Sequence, residues 1–156
     1  MLPRTIRRPL LGVATLLQPL LSPTMLSDRQ VDEEKLQAYT CVARPDIVRA
    51  RIVAPAAVYV VWDGHGTCPY VGSVSRTRGD AVAVRLYEHL NDKVHGEIRS
   101  ASWLLLSVLP LRAGAPTSVV RAAEGWAARN LAPYEGSRQP SVEFHLPPRL
   151  LARRLS

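Results

Sequence analysis

The chain has 156 residues, 47% of them hydrophobic, and carries a net charge of +7. A chain of this length is expected to form one domain with its own core, and its hydrophobic content argues against wholesale disorder. Two cysteines, Cys41 and Cys68, are too few for a disulfide framework, so we expect buried or reduced thiols. No apolar run reaches the roughly 18–20 residues that span a bilayer, and no membrane is expected as a partner.

The basic residues are concentrated at the two ends of the chain. Residues 1–24 carry three arginines and no acid, and residues 137–156 carry four arginines and one glutamate. Such ends suit contacts with phosphate groups, and they are equally typical of solvated termini. Four prolines interrupt residues 1–24, which we predict to be a poorly ordered basic extension. We expect a cytoplasmic protein, but a targeting peptide and a translation start at Met25 are both open alternatives.

Residues 25–55 are predicted to form a segment with one helix and one strand. Ser27 or Asp28 can cap a short helix over residues 30–38, because a side-chain oxygen accepts an unpaired backbone N–H. Pro45 ends this pattern, and the apolar residues at 47–53 favour a strand.

A compact hairpin is predicted over residues 56–75. Residues 56–62 are rich in valine and aromatic side chains, which favour a strand, and residues 70–75 form the returning strand. The sequence Asp-Gly-His-Gly at 63–66 indicates a turn, since glycine and aspartate tolerate the backbone angles that turns require.

The remaining elements alternate between helix and strand. They are, in chain order, a polar loop over 76–80, a helix over 81–91, a buried strand over 101–109 and a helix over 117–131. A Pro- and Arg-rich tail follows from residue 137. The order predicts an α+β fold, with a small three-stranded, mainly antiparallel sheet flanked by helices.

Tyr59 and Tyr70 are predicted to be neighbours within the hairpin. If the chain turns at residues 64–67, Tyr70 lies opposite Val61 and Gly72 lies opposite Tyr59, so both tyrosines share one face of the sheet. A slip of one residue would separate them. Gly72 lacks a side chain and would leave room beside Tyr59 for a substrate phosphate. Tyrosines in a hairpin are also common packing residues, and that interpretation stays open.

Glu124 interrupts the apolar stripe of the second predicted helix. It follows Val120 by four residues and precedes Ala127 by three, so it lies on or beside the buried face. An ionised carboxylate is rare there unless it is paired or bound to a metal ion. The alternative is a glutamate at the rim that pairs with Arg121 or Arg129.

Arg85 and His89 are four residues apart and project together from the first predicted helix. An arginine can hold a phosphate oxygen and offset negative charge in a transition state. A histidine can transfer a proton or orient a nucleophile. The alternative is a solvated helix face beside Glu88 and Asp92.

Taken in order, these motifs resemble the GIY-YIG nuclease family over residues 56–136. The triplet at 57–59 reads Ala-Val-Tyr, the triplet at 70–72 reads Tyr-Val-Gly, and Arg85 is followed by a histidine four residues later. Glu124 precedes a proline by nine residues, as the metal-binding glutamate of some members does. The resemblance implies a GIY-YIG-like fold and a metal-dependent endonuclease that hydrolyses phosphodiester bonds of DNA.

The resemblance also implies a role for each candidate residue. Glu124 is the expected ligand of one Mg²⁺ or Mn²⁺ ion. The expected catalytic residues are Tyr59 as general base, Tyr70 orienting the water or phosphate, Arg85 stabilising charge, His89 assisting proton transfer, and Glu124. The expected substrate-binding residues are Gly72, Arg76 and Arg78.

Two departures from the family pattern leave other functions open. The loop over 73–80 is longer than usual, so Arg76 or Arg78 competes with Arg85, and Gly136 stands where many members carry asparagine. A catalytically impaired nucleic-acid-binding module with the same fold is one alternative. An unrelated interaction domain with both tyrosines in its core is another. DNA is the expected partner, but the residues do not distinguish it from RNA and give no oligomeric state.

Overall fold

The computed structural model describes residues 1–135 and 146–155 of the chain. The described helices are α1 (Arg4–Leu17), α2 (Glu33–Ala38), α3 (Pro45–Arg51), α4 (Ala81–Leu90), α5 (Gly96–Ser102), α6 (Thr117–Leu131) and α7 (Pro148–Leu151). The described strands are β1 (Leu26–Ser27), β2 (Gln30–Val31), β3 (Thr40–Val42), β4 (Ala56–Trp62), β5 (Tyr70–Ser75) and β6 (Leu105–Pro110). Short 3₁₀ turns lie at Gln18–Leu20, Pro23–Met25 and Ala152–Arg154.

In these residues the main sheet has four strands in the order β3, β6, β4, β5, and every neighbouring pair is antiparallel. Every residue of β4 is buried, because this strand has a neighbour on each side and helices on both faces. The predicted α+β class is confirmed. The sheet has four strands where three were predicted, because the short β3 pairs with the outer edge of β6.

The hairpin has the predicted register. Tyr59 lies opposite Gly72 and Val61 lies opposite Tyr70. The turn is held by Asp63, whose Oδ1 accepts hydrogen bonds from the backbone N–H groups of His65 and Thr67, each at 2.9 Å. Such side-chain-to-backbone bonds stabilise a turn without help from the rest of the fold.

The two faces of the sheet bury separate cores. Alternate residues of β4 point to opposite faces, so Val58 and Val60 pack in the core that contains α1 and α6. Tyr59 and Val61 belong to the other core, which contains residues of α3 and α4. The tyrosine face is therefore the face covered by the helix that carries Arg85 and His89.

Residues 1–24 are an integral part of the fold, and the prediction of a poorly ordered extension is wrong for them. In α1, Leu10, Val13 and Leu17 are fully buried, and the helix packs against α6. These residues have the i, i+3, i+7 spacing of an amphipathic helix. The arginines of α1 are exposed, so one face is apolar and the other is charged. Pro9 lies inside the helix.

Residues 47–53, predicted as a strand, form most of α3 and its C-terminal boundary instead. Pro45 is the first residue of this helix, where its missing N–H removes no helical hydrogen bond. Val48 is buried while Arg49 and Arg51 are exposed, so the helix has one apolar face.

Two other predicted elements have different boundaries. The helix predicted over 30–38 begins at Glu33, and its cap is Asp32, whose Oδ1 accepts from the backbone N–H of Glu34 at 2.9 Å. Ser27 lies in β1, and Asp28 adopts a positive φ in the turn that follows. The strand predicted over 101–109 begins only at Leu105, because its first residues end α5.

The helix predicted over 117–131 is confirmed as α6, and the helix predicted over 81–91 is confirmed as α4. Part of the predicted C-terminal tail forms α7, which packs beside the turn at Gln18–Leu20. Gly136 and residues 137–145 lie outside the described residues. Among the described helices, none is long and apolar enough to cross a membrane.

Both cysteines are buried free thiols, as expected. Burial raises the pKa of the Cys68 thiol to about 12, so this group remains protonated at neutral pH.

Candidate active site

The site is organised around Tyr59, whose ring lies across the backbone of Gly72. A Cβ atom at position 72 would overlap the Cζ and Oη atoms of Tyr59 and would lie 2.8 Å from its Cε2. The space that was predicted to admit a substrate phosphate is therefore filled by the tyrosine ring itself. Glycine at 72 lets the hydroxyl of a central-strand residue reach over the neighbouring edge strand.

Tyr70, His89 and Trp103 pack around Tyr59 as an aromatic cluster. The rings of Tyr59 and Tyr70 are stacked, with centroids 6.2 Å apart and planes at 28°. Tyr70 also stacks on Trp103, with centroids 5.2 Å apart, and meets His89 edge-on at 5.0 Å. The two tyrosines are neighbours in space, as the register predicted.

Tyr59 and His89 share a hydrogen bond, with the tyrosine hydroxyl 2.8 Å from Nε2 of the imidazole. Both side chains are buried. Burial, together with the positive charges of Arg85 and Arg99, lowers the pKa of His89 to about 4. The imidazole is therefore neutral at pH 7. In the tautomer with its proton on Nδ1, the hydroxyl of Tyr59 donates to Nε2.

Burial also raises the pKa of Tyr59 well above its usual value, and the neighbouring Tyr70 and the negative charge of Glu124 act in the same direction. The positive charge of Arg85 opposes this shift. The pKa of Tyr70 is raised mainly by burial and then by Glu124, while Arg85 and Arg99 lower it. Both tyrosines are neutral at pH 7, and Arg85 is the cation that favours ionisation of each.

Glu124 reaches the same edge of the sheet from the opposite face. One of its oxygens, Oε1, accepts a hydrogen bond of 2.8 Å from the hydroxyl of Ser73 on β5. The carboxylate is partly buried, and burial raises its pKa, while Ser73, Arg121 and Arg85 lower it. Within the described part of the chain, no ion pair at 4.0 Å or less involves Glu124. The predicted alternative of a direct pair with Arg121 or Arg129 is not found there.

Arg85 lies at the rim of the site and pairs with Glu88. Its Nη1 donates to Glu88 Oε2 at 2.8 Å, and the same carboxylate accepts two hydrogen bonds from Arg76. These side chains are 36–40% exposed, so the cluster faces solvent. Arg85 therefore acts to lower the pKa of both tyrosines while part of its guanidinium remains accessible to solvent.

The structure brings together Tyr59, Tyr70, Arg85, His89 and Glu124, which are coupled by contact or by charge. Arg76 joins this group through Glu88. Arg78 does not join it, because its guanidinium is held by Asp80 at the start of α4.

Three residues that support the cluster were not singled out from the sequence. Trp103 donates through Nε1 to the carboxylate of Glu135, which also accepts from Ser102. Arg99 lies over the rings of Tyr70 and Trp103, with its Cζ 5.9 Å and 5.6 Å from their centroids. Trp103 and Glu135 are 32 residues apart. No local spacing links them, so only the packing of the chain reveals this support.

Glu124 is the residue of this site that could contribute to holding a divalent cation. The described residues contain no group of three or more histidine, cysteine, aspartate or glutamate side chains that could hold a metal ion. Mg²⁺, however, is commonly bound through one or two carboxylates with water and substrate phosphates completing the shell. The carboxylate of Glu124 is partly buried and, within the described residues, is not in a direct ion pair, so it could contribute one oxygen ligand to such an ion.

Comparisons of the chain with protein-family models, with curated proteins and with solved structures found no match.

Proposed function

We propose that the chain is a metal-dependent endonuclease of the GIY-YIG type that hydrolyses phosphodiester bonds of DNA. The observation that carries the proposal is that two tyrosines, a neutral histidine and an arginine meet at one edge of the sheet, where Ser73 also donates a hydrogen bond to the carboxylate of Glu124. Burying the polar groups of Tyr59 and His89 and partly burying the carboxylate of Glu124 costs free energy, which a purely structural core does not require. A cytoplasmic location belongs to the same proposal.

The proton relay in this proposal runs from water through Tyr59 to His89. A tyrosine with a raised pKa is a poor base if it must first ionise. The hydrogen bond to His89 removes this requirement, because the hydroxyl can pass its proton to Nε2 while its oxygen accepts a proton from water. His89 is neutral at pH 7, so its Nε2 is able to accept that proton, and its pKa of about 4 makes it a weak base.

Arg85 is proposed to bind a non-bridging oxygen of the scissile phosphate. Its guanidinium is partly exposed, and its charge acts on both tyrosines, which supports a role in offsetting negative charge that develops on the phosphate. Tyr70 is proposed to orient the water or the phosphate, since it stacks beside Tyr59 and is less buried.

Glu124 is proposed to hold the Mg²⁺ or Mn²⁺ ion, with Ser73 fixing the carboxylate through its hydroxyl. A bound ion would neutralise charge on the phosphate and on the leaving oxygen. Because the described residues contain no group of three or more histidine, cysteine, aspartate or glutamate side chains that could hold the ion, its affinity in the absence of substrate is expected to be low.

The test is cleavage of supercoiled plasmid and branched DNA with Mg²⁺ or Mn²⁺, compared with the same assay in EDTA. The parent protein should nick the plasmid only with the metal, and Glu124→Gln should abolish nicking. Glu97→Gln is the matched control, since Glu97 is an exposed carboxylate in the first turn of α5. Equal loss in both variants would contradict a specific role for Glu124.

A second candidate function is a nucleic-acid-binding module with the same fold and little activity. The burial of Tyr59, which is 2% exposed, favours this alternative, because water must reach a hydroxyl enclosed by aromatic rings. This candidate predicts DNA binding by folded protein without cleavage under any metal condition. Cleavage that depends on Glu124 excludes it.

A further inference from the structure

Glu88 links two arginines that come from different parts of the chain. Arg76 lies just after β5 and donates through Nη2 to both oxygens of Glu88, at 2.9 and 3.1 Å. Arg85, one turn earlier on α4, donates through Nη1 to Oε2 at 2.8 Å. Two guanidinium groups thus converge on one small anion at the edge of the candidate active site.

We propose that Arg76 and Arg85 form a single clamp for a backbone phosphate of a bound nucleic acid strand, and that Glu88 is a built-in competitor for this clamp. The carboxylate occupies the clamp in the free protein, and the phosphate displaces it on binding. This inference rests on the proposed function for the identity of the ligand, but it concerns binding and not hydrolysis.

The arrangement is suited to such an exchange. A carboxylate and a phosphodiester both carry one negative charge and offer two oxygens to arginine, so one can replace the other with little change in geometry. The side chains of Arg76, Arg85 and Glu88 are 36–40% exposed. Ion pairs with this exposure are weak, and Glu88 can turn into solvent when it is displaced.

The competitor has a definite effect on affinity. Binding must break the contacts of Glu88 with both arginines and must bring a phosphate close to its negative charge. Replacing Glu88 with glutamine removes the charge and weakens both contacts while retaining the size of the side chain. Affinity for nucleic acid should therefore rise when the charge of Glu88 is removed, whereas substitution of a residue that contacts the ligand normally lowers affinity.

Asp80 provides a matched control on the same helix. It also contacts two arginines, Arg78 at 2.9 Å and Arg49 at 3.6 Å, but neither of these contacts Glu88 or Arg85 within the described residues. Asp80→Asn removes one negative charge, as Glu88→Gln does, at the N-cap of the same helix. A general effect of net charge would change both variants equally, whereas the clamp predicts an effect of Glu88 alone.

The experiment measures the dissociation constant for a 20-base-pair DNA duplex in EDTA, where no cleavage occurs. We expect Glu88→Gln to bind roughly three- to tenfold tighter than the parent, given the weakness of exposed ion pairs. Asp80→Asn should bind within about twofold of the parent, because its ion pairs with Arg78 and Arg49 lie outside the clamp. The plot of log affinity against log salt should steepen by up to about one unit in Glu88→Gln, because the same phosphate then meets two arginines without the opposing charge of Glu88. Arg76→Gln placed in the Glu88→Gln protein should remove the gain.

Three results would overturn the inference: weaker binding by Glu88→Gln, an equal gain in Asp80→Asn, or no binding of the duplex by any of the proteins. Thermal melting checks that each variant is folded. The outcome is independent of hydrolysis. Tighter binding by Glu88→Gln in a protein that never cleaves DNA would refute the proposed nuclease and leave the clamp standing.

Discussion

Substitution of Gly72 by alanine tests the close packing of the Tyr59 ring against the backbone of β5. The added Cβ would overlap the Cζ and Oη atoms of Tyr59, so the ring must leave its place or β5 must shift. Overpacking of this kind costs about 1–3 kcal/mol, and loss of the Tyr59–His89 hydrogen bond adds about 1 kcal/mol. We therefore expect the free energy of unfolding to fall by about 2–4 kcal/mol.

The assay is urea unfolding of Gly72→Ala beside Gly64→Ala. Among the described residues other than its chain neighbours, no heavy atom lies within 4 Å of a Cβ added at Gly64, and its φ is not positive, so the control should change stability by less than about 0.5 kcal/mol. A double-mutant cycle with Tyr59→Ala makes the test specific, because the cost of Gly72→Ala should largely vanish once the ring is gone. An unchanged cost in the Tyr59→Ala protein would refute the close approach of this ring to position 72.

Three further predictions concern other parts of the molecule. Gly12→Ala should raise the free energy of unfolding by about 0.5–1 kcal/mol in urea titrations, because Gly12 is an exposed position inside α1 with free space around it; no change would contradict a folded α1. Glu135→Ala should lower kcat for DNA cleavage more than it raises KM, because it removes the hydrogen bonds that hold the Trp103 ring against Tyr70. A raised KM with an unchanged kcat would contradict this positioning role. Finally, the pKa of His89 is about 4 in the folded protein against about 6.5 when unfolded, so the unfolded chain binds more protons between these values and stability falls as pH drops through this window. The loss should be on the order of 2–3 kcal/mol, and His89→Gln should remove it when unfolding is measured from pH 7 to pH 4; an unchanged pH dependence would contradict burial of this imidazole.

The hairpin and its tyrosine pair were predictable because their signals are local. Turn residues fix where the chain reverses, and the two-residue period of a strand then decides which side chains share a face. The confirmed register at Tyr59 and Gly72 follows from these two facts. The role of Gly72 was not predictable in the same way, because it depends on the rotamer of the tyrosine and not on the register.

The N-terminal helix was not predicted because its prolines and arginines are typical of an unordered extension, whereas its apolar residues have helical spacing. Leu10, Val13 and Leu17 follow a helical period, and tertiary packing against α6 stabilises a helix that contains Pro9. The prediction for α3 failed for a related reason. Its apolar pattern is too short to distinguish a helix from a strand, and the proline before it favours the start of a helix.

The contacts that hold the aromatic cluster in place could not be predicted from the sequence. They are made by Trp103, Glu135 and Arg99. Each contact joins residues that are distant along the chain and depends on how α5 and the segment after α6 approach the sheet. The sequence indicates candidates for chemistry, whereas the packing that orients them becomes visible only when all elements are in place.

The measurement that tests the central claim most directly is the rate of metal-dependent plasmid nicking by Tyr59→Phe beside Tyr87→Phe. Tyr87 is an exposed tyrosine on α4, the helix that also carries His89, so its hydroxyl is a matched control outside the cluster. If Tyr59 relays a proton to His89, loss of its hydroxyl should slow nicking by roughly 10²–10⁴-fold, while Tyr87→Phe should retain the parent rate. Nicking by folded Tyr59→Phe at the parent rate would contradict the account.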